Sequence, residues 1–281
     1  MKKTVLAICA MLVFVGGASA QSGLRLHSQS ALILDAKRGN VLFSKKADNV
    51  VPIASITKLM TAMVVLDARL PLKERVAIES ADVDILKNTR SRLRVGTALT
   101  REELLRLALM SSENRAAAAL GRAYPGGKSA FVAAMNRKAH KLGMGDSYFV
   151  DSTGLNSSNV STARDLAKMV LAAHKYRVIR EFSTTAKHAV VAGRSKRSHR
   201  LQFVNSNNLV RAGKWDIGVS KTGFLSEAGR CLVMHATITD KPVVIVLLDS
   251  WGKNTRIGDA NRVKKWIEAD FSRKVTRKVQ G

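Results

Sequence analysis

Three short motifs follow one another along the chain: Ser55-Ile-Thr-Lys58, Ser112-Glu-Asn114 and Lys221-Thr-Gly223. A serine hydroxyl is a poor nucleophile until a base takes its proton. On a helix, residues three apart share a face, so Lys58 projects beside Ser55 and can reach its hydroxyl. A lysine acts as that base only if its pKa is depressed, which burial and a second cation would both do, and Lys221 is the candidate second cation. Ser112 can relay a proton toward a leaving amine, and Asn114 can donate to a substrate amide carbonyl. Lys221-Thr222-Gly223 suits an edge strand, where an extended peptide pairs by strand addition. Gly223 permits close backbone approach, while Lys221 and Thr222 can bind a carboxylate. The backbone N–H groups of Ser55 and Phe224 would then form an oxyanion hole. Taken together, the residue types describe acyl transfer through a serine ester.

Each motif alone is weak. Ser250-Trp-Gly-Lys253 also fits Ser-x-x-Lys, and Ser157-Ser-Asn159 and Ser206-Asn-Asn208 fit Ser-x-Asn, whereas Lys-Thr-Gly occurs once. Context separates the set from its decoys: Ser55 opens an apolar run without Gly or Pro, while Ser250 follows Lys-Thr-Gly and has Gly252 inside its motif. Other plans fit less well. There is no Gly-x-Ser-x-Gly. None of the six histidines lies in His-Glu-x-x-His, so no zinc enzyme is indicated, and the chemistry calls for no metal and no cofactor.

The elements that must position these residues are legible in outline. Ala31–Asp35 and Val41–Ser44 flank the turn-like Ala36-Lys-Arg-Gly-Asn40 and read as a hairpin. Ser55–Asp67 is a strong helix former, and Thr100-x-x-Glu103 is a capping box ahead of a leucine-rich helix over Glu102–Leu109. Ser129–Lys141 and Thr162–His174 carry helical periodicity, with the polar Asp151–Asn159 between them as a loop. Arg230–Ile238 and Val243–Asp249 read as adjacent strands joined by a turn at Thr239 to Pro242, the second apolar enough to be buried on both faces. Asp259–Phe271 is a terminal helix with Ala260, Val263, Ile267 and Phe271 on one side. His188–Arg200 reads as a solvated loop or a short hairpin. The expected fold is α/β (α+β): an antiparallel sheet built from the N- and C-terminal segments, flanked by helices, with an inserted all-helical lobe over roughly residues 70–180.

Composition sets the compartment. Lys2-Lys3, an apolar run from Val5 to Val15, Gly16-Gly17 and Ala18-Ser-Ala20 form a secretory leader, cleaved after Ala20 to start the mature chain at Gln21. The apolar run is shorter than the roughly 20 residues a spanning helix needs, and bulky Ile8 before Cys9 argues against lipidation. Without the leader Cys231 is the sole cysteine, so no intramolecular disulfide can form. About 260 residues then support one sizeable core. The formal charge of +26 drops by two with Lys2 and Lys3. So basic a chain seeks anions or serves solubility alone; nucleic acid is not expected outside the cell, whereas wall peptides and envelope polymers carry free carboxylates.

With Leu109-Met-Ser-Ser-Glu-Asn-Arg115, Asp151-Ser-Thr-Gly-Leu155 and Lys221-Thr-Gly-Phe-Leu-Ser-Glu-Ala-Gly229 around the motifs, nearly the whole mature chain resembles the low-molecular-mass penicillin-binding proteins, and most of all the D-alanyl-D-alanine endopeptidases among them. The resemblance implies one penicillin-binding transpeptidase-like domain over residues 21–281. It also implies Ser55 as acyl-enzyme nucleophile, Lys58 as proton acceptor, Ser112 as third catalytic residue with Asn114 beside it, and Lys221 as substrate contact. Peptidoglycan peptides would be substrates, β-lactams covalent inhibitors, and the periplasm the location, with no membrane insertion after cleavage. Glu113 stands where many carboxypeptidase relatives have Gly, so substrate choice could differ. The chain also stops soon after its last helix, without the further β-rich domain and membrane-binding tail of several relatives. A D-alanyl-D-alanine carboxypeptidase shares every catalytic part. A class A β-lactamase would need a deacylating glutamate after the middle motif, but none lies between Glu113 and Glu181. A non-catalytic wall-binding module is disfavoured by the intact Ser55, Lys58 and Lys221. Arg230, Lys253 and Arg256 are all open as supports for the substrate carboxylate.

The charge yields a first test. If a basic surface concentrates an anionic polymer, turnover of intact sacculi falls as ionic strength rises, while turnover of a small soluble peptide changes much less. Parallel assays over a salt series check it, and equal sensitivity of the two substrates counts against it.

Overall fold

The computed structural model describes residues 23–192 and 199–279; the leader, its cleavage site and the middle of the basic stretch lie outside them. The chain enters through β1 (Ser30–Asp35) and β2 (Val41–Lys45), an antiparallel hairpin. Its turn is set by Asp35, whose carboxylate accepts the N–H groups of Lys37 and Arg38, and by Gly39 at φ 74°. After β3 (Val51–Pro52) comes α1 (Thr57–Asp67), buried on every side from Thr57 to Val65, as expected of a helix with no polar face. Then follow β4 (Arg75–Ala77), β5 (Ala98–Thr100), α2 (Arg101–Met110), α3 (Asn114–Arg122), α4 (Gly127–Lys141), β6 (Val160–Ser161), α5 (Ala163–His174) and α6 (Arg177–Ser183). Thr100 and Glu103 form the expected reciprocal capping box, and Thr162 caps α5 through Asp165 N. The basic stretch contributes to a hairpin of β7 (Lys187–Ala192) and β8 (His199–Val204). The chain finishes with α7 (Asn208–Ala212), β9 (Asp216–Leu225), β10 (Gly229–Ile238), β11 (Lys241–Ser250) and α8 (Thr255–Val279).

Five strands form one antiparallel sheet in the order β2-β1-β11-β10-β9, so the first and last thirds of the sequence meet at the β1–β11 pair. Alternation along β11 explains the layering. Val244, Val246 and Leu248 join the core beneath α1 and α5, while Val243, Ile245 and Leu247 join a second core beneath α8, with Ala260, Val263 and Ile267 opposite. The expected turn after β10 is shorter than Thr239 to Pro242: Thr239 and Asp240 alone make it, both at positive φ, the geometry that matches strand twist. Phe271 sits outside the second core, 36% exposed, with Lys241 Nζ 5.6 Å from its ring centroid. Among the described residues the intervening block is mostly helical but not all-helical: the β4–β5 and β3–β6 ladders interrupt it. Asp259, fully buried at the start of α8, accepts the N–H groups of His27 and Ser28 and the Ser28 hydroxyl, and so ties the entering chain to the last helix.

At the far end of β10, His235 stacks on His174 of α5 with ring centroids 3.7 Å apart. Burial, then the neighbouring His174, depress the His235 pKa from 6.5 to about 4, and Asp216 opposes them; burial, then Arg180, lower His174 as well. Both rings are neutral in the folded protein where an unfolded histidine is already charging. Stability is therefore full above pH 6.5 and is lost as pH falls toward 4. Urea unfolding across this window is expected to show a loss on the order of 2 kcal/mol, discounted for partial solvent access, and His235→Phe, which keeps the stack, should flatten most of it.

Candidate active site

Ser55 lies in a single turn of 3₁₀ helix, Ala54–Ile56, that leads directly into α1. The expected helix thus begins two residues later than Ser55, because Ala54 is held at φ 46°. The loop beneath fixes that conformation. Gly154, at φ 78°, packs so tightly that a Cβ there would fall 2.0 Å from Ala54 O and 2.8 Å from Thr57 Oγ1. Asp151 shapes this loop: its carboxylate accepts the N–H groups of Thr153, Gly154 and Asn156.

Lys58 is entirely buried. Its Nζ donates to Ser55 Oγ at 2.8 Å, Asn114 Oδ1 at 2.7 Å and Thr153 O at 2.6 Å, a full set of acceptors for an ammonium. Burial nevertheless lowers its pKa from 10.5 to about 7, against the carboxylates of Asp151, Glu113 and Asp84, which pull it up. Loss of one proton would leave a lone pair to share with the Ser55 hydroxyl. Burial is the main cause of this depression, and the buried cations Lys58 and Lys221 repel one another, which disfavours charge on both.

Ser112 follows the end of α2 at φ 61°, and its hydroxyl accepts from Lys221 Nζ at 2.9 Å. Glu113 turns away to cap α3, accepting from Arg115 N. That leaves Asn114 free of the cap and able to bridge Lys58 to Thr89, to whose Oγ1 its Nδ2 donates at 2.9 Å.

The opposite wall is β9, an edge strand as expected. Lys221 is buried and its pKa is pushed well down by burial, then by Lys58 and Arg256. Thr222 Oγ1 donates to Ser206 Oγ at 2.7 Å. Gly223 explains its own identity: a Cβ there would meet Ile53 O at 3.0 Å and Ser55 N at 3.2 Å. Phe224 is 56% exposed, with the Arg230 guanidinium over its ring at 4.4 Å. Of the three open cations, Arg256 lies against the motif strand, Nη1 to Gly223 O at 3.4 Å, and its buried Nε has no hydrogen-bond partner; Lys253 is exposed. Cys231 is buried across from Gly223 and its thiol is pushed up to about 11 by burial, so it is inert.

The three motifs therefore converge. Sequence reasoning missed Thr153, which acts through its backbone carbonyl and leaves no mark of residue type. It missed Thr89 as well, and it set aside Ser206, which the structure places in the wall of the site. The other decoys are structural: Asn159 donates to Thr57 Oγ1 at 3.1 Å, and Ser250 pairs with Ser28. Among the described residues no cluster of three or more His, Cys, Asp or Glu could hold a metal. A cavity of about 330 Å³ at the opposite end of the sheet is lined by Asp35, Lys241, Trp266 and neighbours, and holds no hydroxyl, thiol or imidazole of Ser, Thr, Cys or His. What the site can do is acylate and deacylate a serine beside a shielded amine.

A family model described as D-alanyl-D-alanine carboxypeptidase matches residues 17–252. The chain is 50% identical to a D-alanyl-D-alanine endopeptidase of Pseudomonas aeruginosa, over 86% of this chain and 78% of that one. It is 48% identical to the D-alanyl-D-alanine endopeptidase of Escherichia coli, over 89% of this chain and 80% of that one. The crystal structure of the Streptomyces K15 DD-transpeptidase superposes with a TM-score of 0.80 at 30% identity, covering 87% of this chain and 98% of that chain.

The packing of the Asp151 loop beneath Ser55 predicts that Gly154→Ala costs about 3 kcal/mol and lowers Tm on the order of 10 °C. Gly143→Ala, at φ 68° with open space around it, should cost about 1 kcal/mol. Thermal unfolding of the two variants side by side makes the comparison.

Proposed function

The chain belongs to the D-alanyl-D-alanine carboxypeptidase family of serine peptidases, and from that premise we propose that it is an exported DD-peptidase that cuts D-alanyl cross-links between peptidoglycan peptides through a Ser55 ester. The observation that carries the reading is Lys58: buried, 2.8 Å from Ser55 Oγ, with a pKa near 7, it is a base ready at working pH. The endopeptidase assignment rests on the relatives at 48–50% identity.

In this reading a peptide pairs along β9, and neutral Lys58 takes the Ser55 proton as Oγ attacks the carbonyl carbon of the D-alanyl bond. The N–H groups of Ser55 and Phe224 hold the oxyanion. Ser112, hydrogen-bonded to Lys221, gives its proton to the leaving amine and regains the one Lys58 took from Ser55, so that Lys58 is neutral again when water hydrolyses the ester by the same route reversed. Thr222, with Arg256 as the cation that lies against its strand, receives the carboxylate next to the scissile bond. For Asn114 to donate to a substrate amide carbonyl, its Nδ2 must exchange Thr89 for the substrate. Residues 1–20 act as the export signal, residues 21–281 as one catalytic domain, and the periplasm is the location. Among the described residues no helix is long and apolar enough to cross a membrane. Neither nucleic acid nor a cofactor enters the scheme. A carboxypeptidase that trims terminal D-Ala would use the same groups, and the family description favours it as the second reading.

Labelled penicillin is expected to acylate Ser55 and stay attached for minutes, since no glutamate lies between Glu113 and Glu181 to direct a hydrolytic water; Ser55→Ala should not label. The acylation rate should climb as pH rises through about 7, where Lys58 becomes neutral, and level off above. Lys58→Arg, which cannot shed a proton, should lose at least about a hundredfold. A cross-linked dimer should be cut faster than a monomeric pentapeptide releases D-Ala; the reverse order would move the assignment to carboxypeptidase.

A further inference from the structure

Followed outward from Ser55, the contacts close a ring. Lys58 joins Ser55 to Asn114, and Asn114 joins Thr89, whose N–H and hydroxyl are both held by Asp84. Two residues before Thr89, Lys87 makes an ion pair with Glu227 in the turn between β9 and β10. From that turn β9 runs back to Gly223, packed against Ser55 N. The segment carrying Lys87 is anchored to α3 and to β8: Arg115 donates to Leu93 O at 2.8 Å, and Arg92 donates to Gln202 O and lies over the Phe203 ring at 4.2 Å. On the β9 side the Lys87–Glu227 pair alone, among the ion pairs of the described residues, joins this segment to the sheet edge. Next to it Ile85 and Leu86 stand out of the surface, 83% and 62% exposed.

We infer that Lys87 and Glu227 form a clasp over the mouth of the cleft and determine which acyl donors reach Ser55. A small strained amide enters with the clasp shut; an extended peptide paired along β9 past Phe224 runs into the turn at Glu227 and needs it open. Both side chains are about a third exposed, 32% and 39%, and such a pair holds one arrangement over another by no more than about fivefold. The clasp is therefore a sieve that yields to a good substrate, not a lock. Hydrogen bonds from Lys87 and then Ser226 hold the Glu227 carboxyl down at about 2, so the pair stays ionised well into acid. The inference rests on the reading that Ser55 is acylated by wall peptides.

The test uses the mature chain with Lys87→Ala, Glu227→Ala and the charge exchange Lys87→Glu with Glu227→Lys. Each is assayed on a cross-linked muropeptide dimer and for penicillin acylation. Nitroxides attached through Ile85→Cys and Phe224→Cys, both exposed, report the width of the mouth without any substrate, buried Cys231 being out of reach of the label. The single variants are expected to lengthen and broaden the nitroxide distance, raise kcat/KM for the dimer about two- to fivefold and leave penicillin acylation unchanged; the charge exchange should restore the distance and the dimer rate, with acylation again unchanged. An unchanged distance, an equal effect on dimer and penicillin, or no restoration by the exchange would overturn the clasp. If the unmodified chain neither labels with penicillin nor cuts the dimer, the functional reading fails, and the nitroxide distances alone decide whether the clasp exists.

Discussion

Placing an ammonium group out of water beside a serine hydroxyl is the constraint around which this protein is organised. An isolated charge in a protein interior is costly, and Lys58 is tolerated because three oxygens receive its protons and three carboxylates stand at a distance. The three oxygens come from three different stretches of chain. The Asp151 loop supplies Thr153 O, the start of α3 supplies Asn114, and α1 must be buried on all sides so that no water reaches the amine from behind. The compensation is incomplete, and the shortfall appears as a pKa near neutrality. A more generous set of partners would make Lys58 an ordinary cation and remove the base.

The second buried lysine obeys the same logic with a different outcome. Lys221 does not touch Lys58; Ser112 lies on its own side and Asn114 on the other, so the two amines share a low-dielectric site with hydroxyl and amide between them. Burial and the nearby cations disfavour the charged form of Lys221. An anionic group entering beside Thr222 reverses that balance, since a carboxylate within a few ångströms favours the ammonium. In the proposed reading charge in the site follows substrate occupancy, and the large basic excess of the chain is no guide to the charge at its centre.

The sheet makes this arrangement rigid and keeps it accessible. β11, covered on both faces, anchors β1 and β10, while β9 remains an edge with unpaired backbone groups facing the cleft. Strand addition and catalytic geometry therefore draw on the same element: the backbone that would pair a peptide is the backbone that packs against Ser55 at Gly223. A Cβ at Gly223 would crowd Ile53 O and Ser55 N.

Much of this was legible in residue order alone. Periodicity and caps located the main helices and the strands of the central sheet, because helix and strand patterns are local and the capping residues of α2 and α5 are specified within four positions. Motif spacing named Ser55, Lys58, Ser112, Asn114, Lys221 and Gly223, since each role needs a particular functional group. Tertiary structure alone decided the rest. It settled that burial is the main cause lowering Lys58, that Glu113 caps α3, and that Ser206, a mere motif decoy in sequence, supports Thr222. It also brought in Thr153, through a carbonyl every residue possesses, and joined Lys87 to Glu227 across 140 positions. Burial, backbone acceptors and long-range pairs depend on which surfaces the fold brings together, and no local pattern of side chains encodes them.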